Sequence, residues 1–565
     1  MKHYLLKGGF AALLTMGSLS ALAVPANPRP IDITQPDGST VTVRAIGDER
    51  GYEYYSLDGQ MMITDADGFL RPASEKETAV HRNSQAARRA LGDKPNYIFN
   101  GTPFPATGEP HGLVVIVQYT DVKFSMDDPL DFYTRQLNGE DYTDYGATGS
   151  ARQYFIDNSN GLFKPTFDVM GPFTLKNNQK YYGGNVMMGG YSDEPHAREM
   201  VTEACQQMYD AGHDLSIYDH DGDGVIDNVF VIYAGNGEAD NPNKYANTVW
   251  PHSADFAAYQ EFPTYGDVTL NRYGCTNELD SSYQRPDGIG TFVHEFSHVL
   301  GLPDLYNTIN SYDASTPGNW SALDYGPYNN QGRTPPFYSA FERYSLNWIE
   351  PRTLQPGEQK LEPLPLVNDA LILTVSEDES TGLPKEFYMF ENRQLISYDA
   401  HLPNHGMLIW HIDFDQEAWD DNSPNNQMRH QRVKLVCADN QATSSSYAGD
   451  SWPGSRKKTA IGYSTSPNLR AWDGENLKTE ITEIAEDGET VTFLATIDGK
   501  TETGIAGIEE EATVWCEAGL LFTRSAEALP VYDTLGQRRG SVSAGEPLEL
   551  PAGLYIAGRT KVLVK

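Results

Sequence analysis

The sequence predicts a multidomain chain: a mixed α/β (α+β) domain built around one buried helix, then a β-sandwich, then a small C-terminal β domain. Three observations predict it. Short apolar runs at 113–117 and 229–233, of strand length, alternate with helical stretches up to about residue 350. Beyond Pro351 helix signals fade, and strand-like runs at 371–375, 386–391, 407–412, 433–436 and 491–496 are separated by turn residues. Past Lys500 the acidic run Glu509-Glu510-Glu511 breaks the pattern, and new short strands follow at 529–532, 554–557 and 561–565. At 565 residues a single core is not expected.

Taken in order, residues 1–23 read as a signal peptide. Lys2 and Lys7 precede an apolar stretch over 10–22, and Ala21-Leu22-Ala23 has the small-x-small spacing of a cleavage site. The product is expected to be secreted or held at the cell surface. No later run suits a membrane span, and no cysteine near the cut suits a lipid anchor. Residues 24–96 read as an N-terminal pro-module and linker. Alternating stretches at 40–44 and 52–57 are punctuated by Asp58-Gly59 and Asp67-Gly68 turns. The polar stretch 73–95, with Arg88-Arg89, is either an exposed processing site or a connector helical across 84–91.

The span 97–350 is expected to be the catalytic domain. It opens on the strand at 113–117 and continues with a helix from Ser150 through Tyr154 and Phe155. A carboxylate-rich loop then leads into the strand at 229–233. After the loop 326–332, an amphipathic helix is predicted over 335–348, with Phe337, Ala340, Phe341, Tyr344 and Leu346 inward. The β-sandwich takes 351–500 and the last β domain 501–565.

Charge narrows the function classes. The 42 Lys and Arg against 78 Asp and Glu give −36, which excludes a nucleic-acid partner, since phosphates need a basic footprint. Most of these carboxylates make a solvated surface, and some can hold hard cations. Four cysteines (Cys205, Cys275, Cys437, Cys516) are too few for a disulfide framework, although Cys205 and Cys275 could pair within one domain.

The chemistry concentrates in His294-Glu295-Phe296-Ser297-His298. Histidines four apart on a helix share a face and supply two tetrahedral corners of a zinc site, while Glu295 can take the proton of a water on the metal. Gly301-Leu302-Pro303-Asp304 extends the motif: glycine ends the helix and turns the chain, bringing Asp304 to the position of a third ligand. Alternatively Asp304 caps the turn, and the third ligand is a later glutamate such as Glu342. In Trp320-Ser321-Ala322-Leu323-Asp324-Tyr325-Gly326, Leu323 stands where motifs of this kind place methionine beneath the metal. Leucine is close to methionine in volume. Tyr325 is positioned either to donate to the oxyanion or to pack in the loop.

A second cluster, Asp219-His220-Asp221-Gly222-Asp223-Gly224-Val225-Ile226-Asp227, matches the first nine positions of an EF-hand-like calcium loop. Asp219, Asp221, Asp223, Asp227 and the Val225 carbonyl are the candidate ligands. Position twelve is Phe230 rather than glutamate, so a bound calcium needs a ligand from elsewhere; an Asp-Gly turn without metal is the other reading.

Together these residues resemble the immune inhibitor A family of secreted bacterial metallopeptidases. The resemblance rests on Val115-Ile116-Val117-Gln118-Tyr119-Thr120-Asp121, Tyr154-Phe155 with Asn158-Ser159-Asn160-Gly161, and Phe167-Asp168-Val169-Met170-Gly171-Pro172. It continues through the Asp219 loop into Val231-Ile232-Tyr233-Ala234-Gly235, the His294 motif and 320–326. Phe390-Glu391-Asn392-Arg393-Gln394 and 406–413 complete it, covering about 110–440. It implies a zincin-like catalytic fold, endopeptidase activity, zinc on His294 and His298, and Glu295 as general base. Leu323 departs from the pattern. Residues 501–565 resemble the C-terminal sorting domain of type IX secretion substrates, on Val531-Tyr532-Asp533, Leu535-Gly536, Pro551-Ala552-Gly553-Leu554-Tyr555-Ile556 and the closing Lys561-Val562-Leu563-Val564-Lys565. That implies secretion machinery as a partner and a Gram-negative outer surface, with a plain terminal β domain as the alternative.

The expected function is a secreted, monomeric zinc endopeptidase made as a zymogen, acting on protein or peptide substrates. With no cysteine before Cys205, a pro-segment carboxylate or steric blockage must serve as its latch. A surface adhesin with a decayed site is the alternative, against which Glu295 stands. A metal hydrolase acting on a non-peptide bond would share the same zinc chemistry.

Overall fold

The computed structural model describes residues 22–27, 29–48, 51–65, 68–74, 104–188, 191–193, 195–308, 317–378, 382–441, 443, 445–501, 514–517, 519–523, 528–533, 537–557 and 560–564. Nearly all of the expected signal peptide and the 73–95 connector lie outside them. The architecture is mixed α/β with several sheets and few helices, in two compact units, Met1–Gly499 and Lys500–Lys565.

The larger unit is organised on a six-stranded sheet. Its order is Leu22–Ala23, His252–Asp255, Arg272–Leu279, Val229–Asn236, His111–Gln118 and Thr166–Thr174. The last four run parallel, while His252–Asp255 is antiparallel to Arg272–Leu279 and Leu22–Ala23 antiparallel to His252–Asp255. The apolar runs read from the sequence are the central strands, unbroken because both faces are covered. Leu113, Val115 and Val117 face a core with the helix Pro195–Asp210, through Ala197, Met200, Val201, Ala204 and Met208. Val114 and Ile116 face the opposite core, which holds Phe292 and Phe296 of the helix Gly290–Val299 and Tyr154 and Phe155 of the helix Ala151–Asn158. Ser150 caps that last helix by accepting from the Gln153 N–H.

The second core continues into the following β region. Strands Ala370–Glu377, Pro384–Arg393, Gly406–Asp413 and Val433–Leu435 lie in one sheet. Its Phe387, Met389, Leu408, Trp410 and Ile412 join Phe341 and Trp348 of the preceding region. Its alternate residues Tyr388, Phe390, Met407 and Ile409 face a core shared with Ile481, Val491 and Phe493 of the three-stranded sheet Gly357–Leu361, Thr490–Ile497, Thr479–Asp487. The period-two alternation of one sheet thus serves two cores.

One helix is shorter than its pattern predicts. In place of 335–348, helix forms only over Ala340–Ser345. Ser339 accepts from the Glu342 N–H and Glu342 from the Ser339 N–H, a capping box that fixes the start. Before it, Pro335 and Pro336 favour extended chain. The amides of Phe337 and Tyr338 donate to Asp399 and Asn158 instead of to a helical turn. Phe337, Ala340, Phe341 and Leu346 are buried as expected, whereas Tyr344 is only half-buried.

The N-terminal sheet runs in sequence order, Ile31–Thr34, Thr40–Asp48, Gly51–Ser56, Met61–Thr64 and Leu70–Pro72. Its Ile31, Val43, Ala45, Met62 and Leu70 share a core with Val24, Ala26, Ala239 and Trp250. In the smaller unit a three-stranded and a four-stranded sheet surround Leu521, Val531, Val542, Ala557 and Val564. All four cysteines are free thiols, so Cys205 and Cys275 do not pair.

Candidate active site

The helix Gly290–Val299 is buried along its whole length. Phe292 and Phe296 anchor it under the sheet, which turns His294, Glu295 and His298 toward the opposite side. His294 Nδ1 donates to the Ala322 carbonyl (2.8 Å), and His298 Nδ1 donates to the Leu302 carbonyl (2.7 Å). A carbonyl only accepts, so each Nδ1 carries the proton and each Nε2 presents a lone pair. The two Nε2 atoms lie 3.2 Å apart. Asp304 Oδ1 lies 3.2 Å from His294 Nε2 and 3.4 Å from His298 Nε2.

The chain reaches this arrangement by a specific turn. Gly301, at φ 95, follows the helix; its N–H donates to the His298 carbonyl and the Leu302 N–H to the Ser297 carbonyl. These two bonds make a Schellman turn, which needs a left-handed residue where glycine stands. The same turn offers the Leu302 carbonyl to His298 and carries Asp304 back over the helix. Leu323, fully buried, donates its N–H to Ser321 Oγ and accepts from the Leu305 N–H. The Ala322 carbonyl beside it accepts from His294 Nδ1, so the turn at 321–323 lies against that histidine.

Glu342, the other candidate for a third ligand, is engaged elsewhere. It accepts from Ser321 Oγ (2.6 Å) and from the Ser339 N–H. Asp304 is instead held from the β region: Asn422 Nδ2 donates to Asp304 Oδ2 (2.6 Å), and the Asp304 N–H donates to Asn422 Oδ1 (2.8 Å). Asn425 and Asn426 clasp the following Leu305 and Thr308. Nothing in the sequence signals this pairing, because the partners stand 118 residues apart.

The donor set fits a divalent metal. Two imidazole lone pairs and a carboxylate oxygen meet in a buried place, and Asp304 Oδ1 takes no hydrogen-bond donor of the protein. Without a cation these three acceptors repel; nitrogen and oxygen ligands in this number suit zinc with a position left open. Burial pushes the His298 imidazole below its ordinary range, which favours its neutral, ligating form.

Glu295, buried beside His294, accepts at Oε1 from the Val24 N–H (2.9 Å). The residues around Val24 cross the site: Trp250 Nε1 donates to the Val24 carbonyl (3.1 Å), and Tyr328 Oη donates to the Pro25 carbonyl (2.5 Å). Tyr325 precedes the 3-10 turn Gly326–Gly332, and its carbonyl accepts from Asn319 Nδ2. Among the described hydrogen bonds, Tyr328 is the tyrosine that meets the chain lying over Glu295. Its phenol is pushed well above its usual range by burial, with Asp240 and Asp287 adding to the effect.

In the second cluster, ligand atoms of Asp219, Asp221 and Asp227 gather within 4.8 Å. The Asp219 carboxylate already accepts from the N–H groups of Gly222, Asp223 and Gly224, and Asp223 accepts from Val225 N–H. Asp227 Oδ2 pairs with His220 Nδ1 (2.6 Å), while its buried Oδ1 has no hydrogen-bond partner. Burial raises the Asp227 carboxyl.

Comparison with known proteins falls on the same region. Residues 119–352 match the family model for the immune inhibitor A peptidase M6 catalytic domain. The pre-pro-metalloprotease PrtV of Vibrio cholerae serotype O1 is 26% identical over 275 residues, 44% of this chain and 30% of its own. Immune inhibitor A of Bacillus thuringiensis subsp. alesti is 28% identical over 261 residues, 40% of this chain and 38% of its own. The chain therefore spans about a third of the length of these curated relatives. Within 119–352, the stretch that carries His294, Glu295, His298 and Asp304, it is similar to the catalytic domain of the immune inhibitor A peptidase M6 family.

Proposed function

We propose that the chain is a secreted zinc-dependent endopeptidase, made as a zymogen, that hydrolyses peptide bonds of extracellular proteins. The observation that carries this is the convergence of two imidazole Nε2 atoms and the Asp304 carboxylate beside Glu295. His294, His298 and Asp304 would hold the zinc, with Asn422 orienting Asp304 and two backbone carbonyls orienting the imidazoles. Bound there, zinc supplies Lewis acidity to the attacking water and the substrate carbonyl. Glu295 takes the water's proton and returns it to the leaving amine nitrogen. Tyr325 is the proposed donor to the carbonyl oxygen as it gains charge.

The 219–227 loop is proposed to hold calcium through Asp219, Asp221, Asp223, Asp227 and the Val225 carbonyl, stiffening the entry to the strand Val229–Asn236. The unpartnered Asp227 Oδ1 supports a cation there. The unit Lys500–Lys565, compact in itself, is proposed to direct export as a sorting domain toward a Gram-negative outer surface. The relatives bearing metalloprotease and immune inhibitor names support the peptidase reading.

Casein hydrolysis by the processed protein tests it. A zinc chelator is expected to abolish cleavage and added zinc to restore it, while Glu295→Ala lowers kcat by roughly 10²–10⁴-fold. Chelator-insensitive cleavage, or full activity of Glu295→Ala, would sink the proposal.

A further inference from the structure

The β region carries a cavity of about 620 Å³ whose walls include none of His294, Glu295, His298 and Asp304. A space of this size takes a small molecule or a few peptide residues. Tyr388 and His411 of two sheet strands line it, with the chain from Met428 to Gln441, which includes the edge strand Val433–Leu435, and the loop 466–474. The loop is pinned to the sheet. Tyr388 Oη donates to the Arg470 carbonyl (2.7 Å) and accepts from the Arg470 N–H (3.3 Å). The Trp472 N–H donates to Glu386 Oε1 (2.7 Å), which also accepts from His411 Nε2 (2.9 Å). The His411 ring lies at 11° to both Tyr388 and Trp472, so stacking and hydrogen bonds together fix the Arg470 backbone and the Trp472 ring.

The charge of this cavity runs against that of the chain. Net charge is −36, yet Arg429, Lys434 and Arg470 line the cavity, and Asp473 is the one carboxylate among its described lining residues. Asp473 Oδ1 accepts from the Glu475 N–H within its own turn (2.8 Å). The acids at the end of the His411 strand are taken: Asp413 accepts from His430 (2.6 Å) and Arg432, and Asp415 from Arg432 (2.5 Å). Among the described residues, Arg429, Lys434 and Arg470 pair with no carboxylate. Arg429 and Arg470 are exposed, while Lys434 is half-buried with its ammonium over the Trp472 ring (5.3 Å). Burial, reinforced by the Arg470 charge, holds the Lys434 ammonium below its ordinary range, and an anion beside it offsets that cost.

We propose that the cavity receives carboxylate side chains of an acidic peptide segment, gripped by Lys434, Arg470 and Arg429. A guanidinium meets a carboxylate through two parallel hydrogen bonds, and an ammonium adds a compact charge beside them. The rest of the wall suits a peptide better than a sugar. The Trp472 ring, the platform a sugar needs, is occupied by His411, His430 (4.4 Å between ring centres) and the Lys434 ammonium. Asn440, Gln441 and Asn468 instead offer amides that both donate and accept, as a peptide backbone requires. That the cavity takes carboxylates stands on these residues alone; that the peptide is a substrate rests on the peptidase reading above. The substrate class is then proteins with an acidic tract, held on the chain that continues from the Asn422–Asn426 clasp rather than at the bond being cut.

Fluorescence anisotropy with a labelled tetraglutamate peptide tests the binding, in full-chain protein carrying Glu295→Ala so that nothing is cut. The matching glutamine peptide is expected to bind about tenfold more weakly, and Lys434→Met and Arg470→Gln each to weaken the glutamate peptide about tenfold, as for loss of one charge-assisted bond. Lys123→Gln, at an exposed lysine outside the cavity, is expected to change nothing. Equal binding of the two peptides, or glutamate binding unaffected by both cavity variants, overturns the proposal. So does displacement of the labelled peptide by a sulfated disaccharide at a lower concentration than by unlabelled peptide, which assigns the cavity to sugars. In the processed protein with Glu295 intact, Arg470→Gln is expected to raise KM about tenfold for a cleavable peptide with a glutamate tract, leaving kcat unchanged and the glutamine version unaffected. An unchanged KM in a cleaving enzyme overturns the substrate role. If binding responds to the variants while every form fails to cut any peptide, the cavity stands and the peptidase reading falls.

Discussion

Asn422 shows how one side chain can serve a site through another, here through Asp304. It grips Asp304 twice, by its amide nitrogen and its carbonyl oxygen, and so fixes which carboxylate oxygen faces the histidines. Asn422→Ala leaves that carboxylate free to rotate and buried without its donor. Zinc affinity, measured by chelator competition, is expected to fall roughly 10–100-fold, as for other groups that orient metal ligands, with the fold retained. Unchanged affinity would mean that Asp304 is held by its backbone alone. Glu342 teaches the converse: a buried carboxylate near the right place in sequence is consumed by a helix cap and a serine.

At the scale of the element, the turn after the helix Gly290–Val299 joins local conformation to the proposed metal geometry. Gly301 at φ 95 sits where an L-residue with a Cβ is strained. Gly301→Ala is expected to lower unfolding stability by about 1–2 kcal/mol and to weaken zinc binding by misplacing both the Leu302 carbonyl and Asp304. Urea melts with and without zinc check this; a loss of stability without any change in zinc affinity would separate the two roles. The helix Gly290–Val299, its glycine stop and the central strands were legible in the sequence because each is written locally, in spacing and apolar runs. The short helix at Ala340–Ser345 was not, since Pro335-Pro336 and the partners Asp399 and Asn158 override an amphipathic pattern that extends past them. Tyr328, Trp250 and Asn422 escaped notice for a related reason. Their roles are set by contacts with residues more than a hundred positions away, which leave no period or motif behind.

For the whole molecule, acidity reaches into the interior. Burial raises Glu238 to about 8 and Asp287 to about 8, the latter with help from Asp240 and Asp280. Each holds a proton in the folded chain that the unfolded chain has already released near pH 4. Their contribution to stability is therefore complete below about pH 4 and is lost as pH rises toward 8. Between pH 7 and 9, where histidines no longer titrate, the thermal midpoint is expected to fall, and Glu238→Gln should flatten part of the slope. A midpoint constant or rising across that interval would refute this. The β region has a consequence of another kind. Because Asn422, Asn425 and Asn426 close over Asp304, Leu305 and Thr308, and because Phe341 and Trp348 share a core with Phe387 and Trp410, the inheritable piece is larger than the stretch that matches the family model. A gene rearrangement transplanting 119–352 alone would carry off a lock with half its casing, so the smallest cassette that evolution can move intact extends at least through Asn426.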